Sequence, residues 1–462
     1  AGITAASTVS AIWVNSIAMS NPRTLVEAAA ALRSGQTTAV ALVDAALEAV
    51  GRHDVPAHAF IRVTADAART AALTADAERA AGLDRGPLHG LPVSLKDLID
   101  VAGEPTTAAS RVCAGNVAGR DAVVTARLKA AGAVLLGKTN LHEFALGTTS
   151  DDSAYGPVLN PHDLSRSAGG SSGGSAVAVA TGMGLASVGT DTGGSVRIPA
   201  AACGVVGLKP SHDDVPATGV IPLSTSLDHV GPLTRSVQDA AWMWSVLAGR
   251  PVHTVRPPAA RGLRVAVLGG YFDQPVDPVV RAAFTQAVAA LADAGVLVSH
   301  CVFSDAAAIT QTYVDLVLPE GAQWHGTWLD DRADLYSPTV RDRLLAGRAI
   351  PATAYIAALH RRAQMQAAVE ALLQSVDVLI LPTLPLVAQV SGTPDVTIDH
   401  LTMPVRAAML KHTQLFNITG HPAISLPLAV SGLPVGLQLI GPWGGTTRLL
   451  DIAATCEALV CR

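Results

Sequence analysis

Two stretches rich in glycine and serine hold the residues of this chain best suited to covalent chemistry. The first runs Gly169-Gly170-Ser171-Ser172-Gly173-Gly174-Ser175 and leads into an apolar segment, residues 176–180; the second runs Gly189-Thr190-Asp191-Thr192-Gly193-Gly194-Ser195. Glycines at this density let the backbone pass where side chains would clash, or take positive φ, which leaves N–H groups open to a ligand. A flexible linker would not carry a helix-compatible run such as Ala-Val-Ala-Val-Ala between its glycines. A phosphate loop would need a Lys-Ser or Lys-Thr pair after them, and the dinucleotide fingerprint needs a different glycine spacing. Serine hydrolysis remains, in two versions. Gly170-Ser171-Ser172-Gly173-Gly174 satisfies G-x-S-x-G, with Ser172 as the nucleophile of an α/β-hydrolase elbow. In the other version Ser195 attacks and Ser171 helps to move its proton, which requires a base elsewhere.

A base is available upstream. In Leu88-His89-Gly90-Leu91-Pro92-Val93-Ser94-Leu95-Lys96 a single lysine closes an apolar, strand-like run that would bury its stem. Burial disfavours the ammonium form and lowers the lysine pKa toward the range in which a neutral amine is available.

Taken together, Lys96, Gly169-Gly170-Ser171-Ser172-Gly173-Gly174-Ser175 and Gly189-Thr190-Asp191-Thr192-Gly193-Gly194-Ser195-Val196-Arg197-Ile198-Pro199 resemble the amidase signature family of Ser-Ser-Lys amidohydrolases. Three motifs stand in the family's order, and the likeness extends over residues 24–457. The segments 138–145, 203–210, 226–235, 416–425 and 432–441 continue it. The chain departs at His212-Asp213-Asp214, where the family usually has a Gly-Arg pair, and residues 305–365 match least.

The resemblance implies a catalytic triad of Lys96, Ser171 and Ser195: neutral Lys96 draws a proton from Ser171, which takes it from Ser195, and the relay run backwards protonates the leaving nitrogen. It also implies a cis peptide before Ser171, made plausible by Gly170. The second glycine turn offers backbone N–H groups of Thr192, Gly193, Gly194 and Ser195 as an oxyanion hole. Ser172 is expected as a supporting hydrogen bonder, and Asp191 and Arg197 as the residues that hold the turn. The function expected is cofactor-free hydrolysis of uncharged amides, anilides or carbamates (urethanes), through an acyl- or carbamoyl-enzyme, by a monomer or homodimer acting on small molecules. Two alternatives stand beside it. One is an amidotransferase A-type subunit working with a partner chain, disfavoured by Leu98 and residues 212–216; the other is an esterase using Ser172.

Composition bounds the choice. With 462 residues, 49% hydrophobic and 15% charged, the chain has ample material for a large core. A net charge of −5 and the lack of a basic cluster argue against nucleic acid as a partner. Cys113, Cys203, Cys301, Cys456 and Cys461 form no Cys-x-x-Cys pair, and His142-Glu143 lacks the second histidine of H-E-x-x-H, so no metal is expected. Such scattered cysteines suit small buried side chains in a reducing compartment. No run approaches the roughly 18 to 20 apolar residues of a membrane span. Residues 1–18 carry no charge and lack a basic n-region, so they read as an N-terminal extension before Met19, and the protein as cytoplasmic.

The elements that must position the site follow from periodicity. A capping box of Thr24 and Glu27 opens a helix over 24–34, and Val40, Val43, Leu47 and Val50 form the stripe of a second. Strand character at 59–63, in the run 88–96, at 133–137, 263–269, from 296 and from 376 alternates with helices at 66–81, 122–131, 278–294 and 449–459. This alternation predicts a doubly wound α/β sheet, and the resemblance implies a mixed, largely parallel central sheet with helices on both faces. Residues 19–462 are expected to form one domain, with a core at 86–247 and a variable, substrate-facing segment at 305–365 carrying Tyr313, Trp324, Trp328 and Tyr336.

Overall fold

The computed structural model describes residues 23–461; the expected extension at residues 1–18 and the start at Met19 lie outside them. Thr24 caps the first helix, Leu25–Arg33, in the reciprocal arrangement the sequence predicts: its hydroxyl accepts from Glu27 N–H while the Glu27 carboxylate accepts from Thr24 N–H.

Eleven strands form one mixed sheet. Their spatial order is Phe60–Val63, Val134–Thr139, Pro92–Lys96, Ala186–Asp191, His229–Thr234, Val206–Lys209, Ala423–Pro427, Gly436–Ile440, Val378–Pro382, Arg264–Gly269 and Leu297–Val302. Pro92–Lys96 pairs in parallel with both of its neighbours, and so does Arg264–Gly269 near the far edge. The strands between these two groups pair antiparallel. Connectivity is the cause. A crossover helix such as Val123–Ala130 or Pro278–Asp293 returns the chain to start a parallel strand, whereas Ala423–Pro427 and Gly436–Ile440 are joined by a short turn and must run in opposite directions.

Alternate residues of each strand point to opposite faces, and both faces are covered. Val265, Val267, Val378 and Ile380 belong to one apolar core, with the helices Leu25–Arg33, Val237–Ala248 and Thr446–Val460. Ala266, Leu268, Leu379 and Leu381 belong to the other, with the helices Ile309–Trp324, Pro338–Arg348 and Ala352–Leu373. The variable segment is therefore a helical layer on one face. Its aromatics are not isolated: Trp324, Trp328 and Tyr336 cluster with His325 on Phe144, whose ring lies 4.4 Å from that of His325 and 5.5 Å from that of Tyr336. Ser337 ties the same layer to the segment that follows the strand Val134–Thr139, its N–H donating to Glu143 and its hydroxyl to Asp152, each at 2.8 Å.

The divergent loop at 212–216 is held from both sides. His212 N–H donates to the Gly420 carbonyl, and Asp214 pairs with Arg250 at 2.8 Å. All five cysteines are unpaired, with Cys113, Cys203 and Cys456 buried. Among the described residues no helix is long and apolar enough to cross a membrane.

Candidate active site

Lys96 is the last residue of the strand Pro92–Lys96, flanked on both sides by paired strands, so its side chain starts inside the sheet and has no route to solvent. Nζ donates to Ser171 Oγ and to Thr190 Oγ1, each at 2.8 Å. Burial pushes its pKa down to about 7, against the opposing pull of the Asp191 and Asp228 carboxylates. A second buried lysine nearby, Lys138, behaves differently: it is ion-paired with Asp97 at 2.7 Å. Lys96 has hydroxyl partners, and its two acids act only through space.

The peptide between Gly170 and Ser171 is cis, as the family resemblance implies. Gly170 is required there, since a Cβ would fall 2.6 Å from Ser150 Oγ and 2.8 Å from Ser150 N. Ser172 follows directly and has its hydroxyl fully engaged. It donates to the Thr190 carbonyl at 3.1 Å and accepts from Thr190 N–H at 3.3 Å, while its own N–H donates to the Ser195 carbonyl at 3.1 Å. Ser172 thus stitches the two glycine turns together and sets Ser171 beside the turn that carries Ser195. Its hydroxyl faces the protein rather than a cleft, which argues against the elbow reading.

The second turn leaves the strand Ala186–Asp191 and ends at the short helix Arg197–Cys203. Gly194 sits at φ +139°, where a Cβ would also meet Thr413 Oγ1 at 2.3 Å, and a Cβ on Gly193 would lie 2.4 Å from the Tyr313 hydroxyl oxygen. Among the described residues, none of the N–H groups of residues 192–195 donates to a protein acceptor. Ser195 is 5% exposed, the small opening expected of a group that must meet a ligand.

Asp191 and Arg197 brace this turn from beneath, both fully buried and 2.9 Å apart. Burial alone would raise the Asp191 pKa, but the charge and hydrogen bonds of Arg197 hold it well below the usual carboxylate range. Arg197 also donates to Gln438 and Asn417, both at 2.6 Å, and to the Thr413 carbonyl at 3.1 Å, while Thr413 Oγ1 donates to the Gly193 carbonyl. Thr192 donates to Asp228, which accepts also from the N–H groups of Leu223 and Ser224 and is pushed up to about 6 by burial.

The structure therefore brings Lys96, Gly170, Ser171, Ser172, Asp191, Thr192, Gly193, Gly194, Ser195 and Arg197 into one place. Sequence reasoning missed Thr190, the second partner of Lys96, though it stands inside the quoted motif. It also missed Thr413, Asn417 and Gln438, which carry no local signal because their meaning lies in contacts made across more than two hundred residues, and it named Tyr313 only as an aromatic of the variable segment. A cavity of about 490 Å³ elsewhere, against the helix Ala65–Ala80, involves neither serine, and its charged side chains are paired, Glu78 with Arg85, Lys129 with Asp121 and Lys138 with Asp97.

Comparison with known proteins bears directly on this geometry. The family model described as Amidase matches residues 41–450. The chain belongs to the amidase signature family. A solved structure described as the crystal structure of an amidase is 40% identical, with a TM-score of 0.90, over 95% of this chain and all of that one. The A subunit of glutamyl-tRNA(Gln) amidotransferase from Chloroflexus aurantiacus is 38% identical over 92% of this chain and 94% of its own length. The AtzE subunit of 1-carboxybiuret hydrolase from Pseudomonas sp. (strain ADP) is 37% identical over 90% of this chain and 94% of its own. Membership of the amidase signature family makes this an enzyme acting on C–N bonds.

Proposed function

We propose that this chain is an amidohydrolase that cleaves a C–N bond with Ser195 as nucleophile, Ser171 as proton carrier and Lys96 as base. The single observation that carries the reading is the buried Lys96 amine 2.8 Å from Ser171 Oγ, with the Ser171 turn stitched to that of Ser195. A serine hydroxyl is a weak nucleophile until its proton is removed, and a lysine removes one only when neutral. With its pKa lowered to about 7, Lys96 is neutral in a substantial fraction of molecules near pH 7.

Ser195 Oγ adds to the carbonyl carbon as its proton passes to Ser171 and that of Ser171 to Lys96. The oxyanion is held by N–H groups of the 192–195 turn, each such donor worth about 3 kcal/mol in other hydrolases. As the C–N bond breaks, the proton returns through Ser171 to the nitrogen, which leaves as a neutral amine or ammonia. Water then cleaves the acyl-enzyme, or the carbamoyl-enzyme when the substrate is a carbamate. Asp191 and Arg197 keep the turn in place and do not touch the substrate.

The names of the relatives favour a second reading. The glutamyl-tRNA(Gln) amidotransferase chain and AtzE are both described as subunits, which supports a partner-dependent role. A panel of aliphatic amides, anilides and aryl carbamates, with Ser195→Ala as control, tests the first reading. Copurification of a second chain, with activity appearing only in the complex, would favour the other. Hydrolysis of no C–N bond by the chain alone or with such a partner would sink both.

A further inference from the structure

The two outer strands of the sheet are finished differently. At one edge Phe60–Val63 is short, its register with Val134–Thr139 shifts between Phe60 and Arg62, and Arg62 places a charge on it that pairs with Glu104. Shortness, a bulge and a charge are devices that keep an edge from pairing with another chain. The opposite edge, Leu297–Val302, has no such bulge or charge. Its residues, Leu297-Val298-Ser299-His300-Cys301-Val302, include no charged side chain and no proline, and they follow Arg264–Gly269 in unbroken register. Leu297 and Val302 are 59% and 61% exposed, large fractions for apolar side chains in a strand.

The paired side of this strand defines its free side. Leu297 N–H donates to the Leu263 carbonyl, so in the parallel ladder Leu297, Ser299 and Cys301 turn their backbone groups inward to Arg264–Gly269. Those of Val298, His300 and Val302 point outward, and among the described residues no strand receives them. The side chains of these three share one face, on which Val298 packs against the core that holds Val280, Ala283 and Ala287 of the helix Pro278–Asp293.

We propose that this edge joins the same edge of a second copy of the chain, antiparallel about a two-fold axis at His300, so that the two sheets become continuous. Of the monomer and the homodimer expected from the sequence, this selects the second. The strand is its own complement in that register. Val298 of each copy faces Val302 of the other, an apolar pair on either side of the axis, and each facing pair of outward residues exchanges both of its backbone hydrogen bonds. A two-fold contact requires one patch to fit itself, and the charges beside the strand do so as well. Before the strand, Arg261 lies against Gly295, where a Cβ would fall 3.4 Å from the Arg261 Cα; after it comes Asp305. Both are exposed, and neither has an ion-pair partner among the described residues. The register that sets Val298 on Val302 also sets Gly295 opposite Asp305 of the other copy, which brings Arg261 to that carboxylate on both sides of the axis. A second copy aligned in parallel would set Arg261 against Arg261.

The test is analytical ultracentrifugation of the full chain over about 1 to 100 µM, the range in which a small interface dissociates. A species of twice the chain mass should form there. His300→Pro removes one outward N–H and leaves the inner ladder whole, so it should raise the dimer Kd by about tenfold or more while far-UV circular dichroism stays that of wild type. Val302→Lys, which places a charge on the edge, should do the same and serves where the proline variant does not fold. Arg261→Asp and Asp305→Arg should each weaken the dimer, and the double reversal should restore it. A monomer across the whole range overturns the proposal. So does a dimer indifferent to His300→Pro and Val302→Lys, which would lie on another surface, and so does one in which the double reversal restores nothing.

Discussion

Ser172 Oγ gives its hydrogen to the Thr190 carbonyl and accepts the Thr190 N–H, and Thr190 Oγ1 in turn receives a hydrogen bond from Lys96. One threonine thus joins the base to the serine that aligns both turns. Catalytic and supporting hydroxyls differ here by what they face rather than by residue type.

Three serine variants and one lysine variant separate these roles. Ser195→Ala should abolish turnover, and Ser171→Ala and Lys96→Ala should each lower kcat by about a thousandfold or more, as members of one relay. Ser172→Ala should retain a measurable fraction. The check is kcat on the best amide of the panel; full loss confined to Ser172→Ala would restore the elbow reading.

Lys96 works as the neutral amine, so the sign of the pH dependence is fixed. Activity should be complete above about pH 7 and fall about tenfold per unit below it, as the ammonium form takes over. The kcat/KM profile of the free enzyme reports this limb. A profile flat from pH 5 to 8 would exclude Lys96 as the base.

Arg197→Met should leave the Asp191 carboxylate buried without its counter-charge. The cost of such a half-broken pair is about 3–5 kcal/mol, read as a lower midpoint in urea unfolding at pH 7. Activity should fall as well at temperatures where the variant is folded, because the turn at 192–195 loses its brace.

Gly194→Ala combines a backbone φ of +139° with a Cβ placed 2.3 Å from Thr413 Oγ1. Turnover should drop by about a hundredfold or more, and the companion variant Gly115→Ala, in open space, should change nothing. Equal activity in the two variants would show that the turn geometry is not needed.

Much of this was legible in the chain itself. The capping box of Thr24 and Glu27, the strand ending at Lys96 and the two glycine turns are local patterns, and local physics decides them. The cluster of Phe144, His325, Trp328 and Tyr336 was not legible, because its members come from opposite halves of the chain and only the fold defines which ring meets which. The antiparallel centre of the sheet escaped for the same reason: strand periodicity is alike in both pairings.

Arg197 draws three of its partners from Thr413, Asn417 and Gln438. During synthesis the whole signature, Lys96 through Pro199, therefore leaves the ribosome long before the side chains that lock it in place. A nascent chain stopped near residue 400 would hold every reactive group and no working catalyst, so competence arrives late and all at once, with the last strands of the sheet.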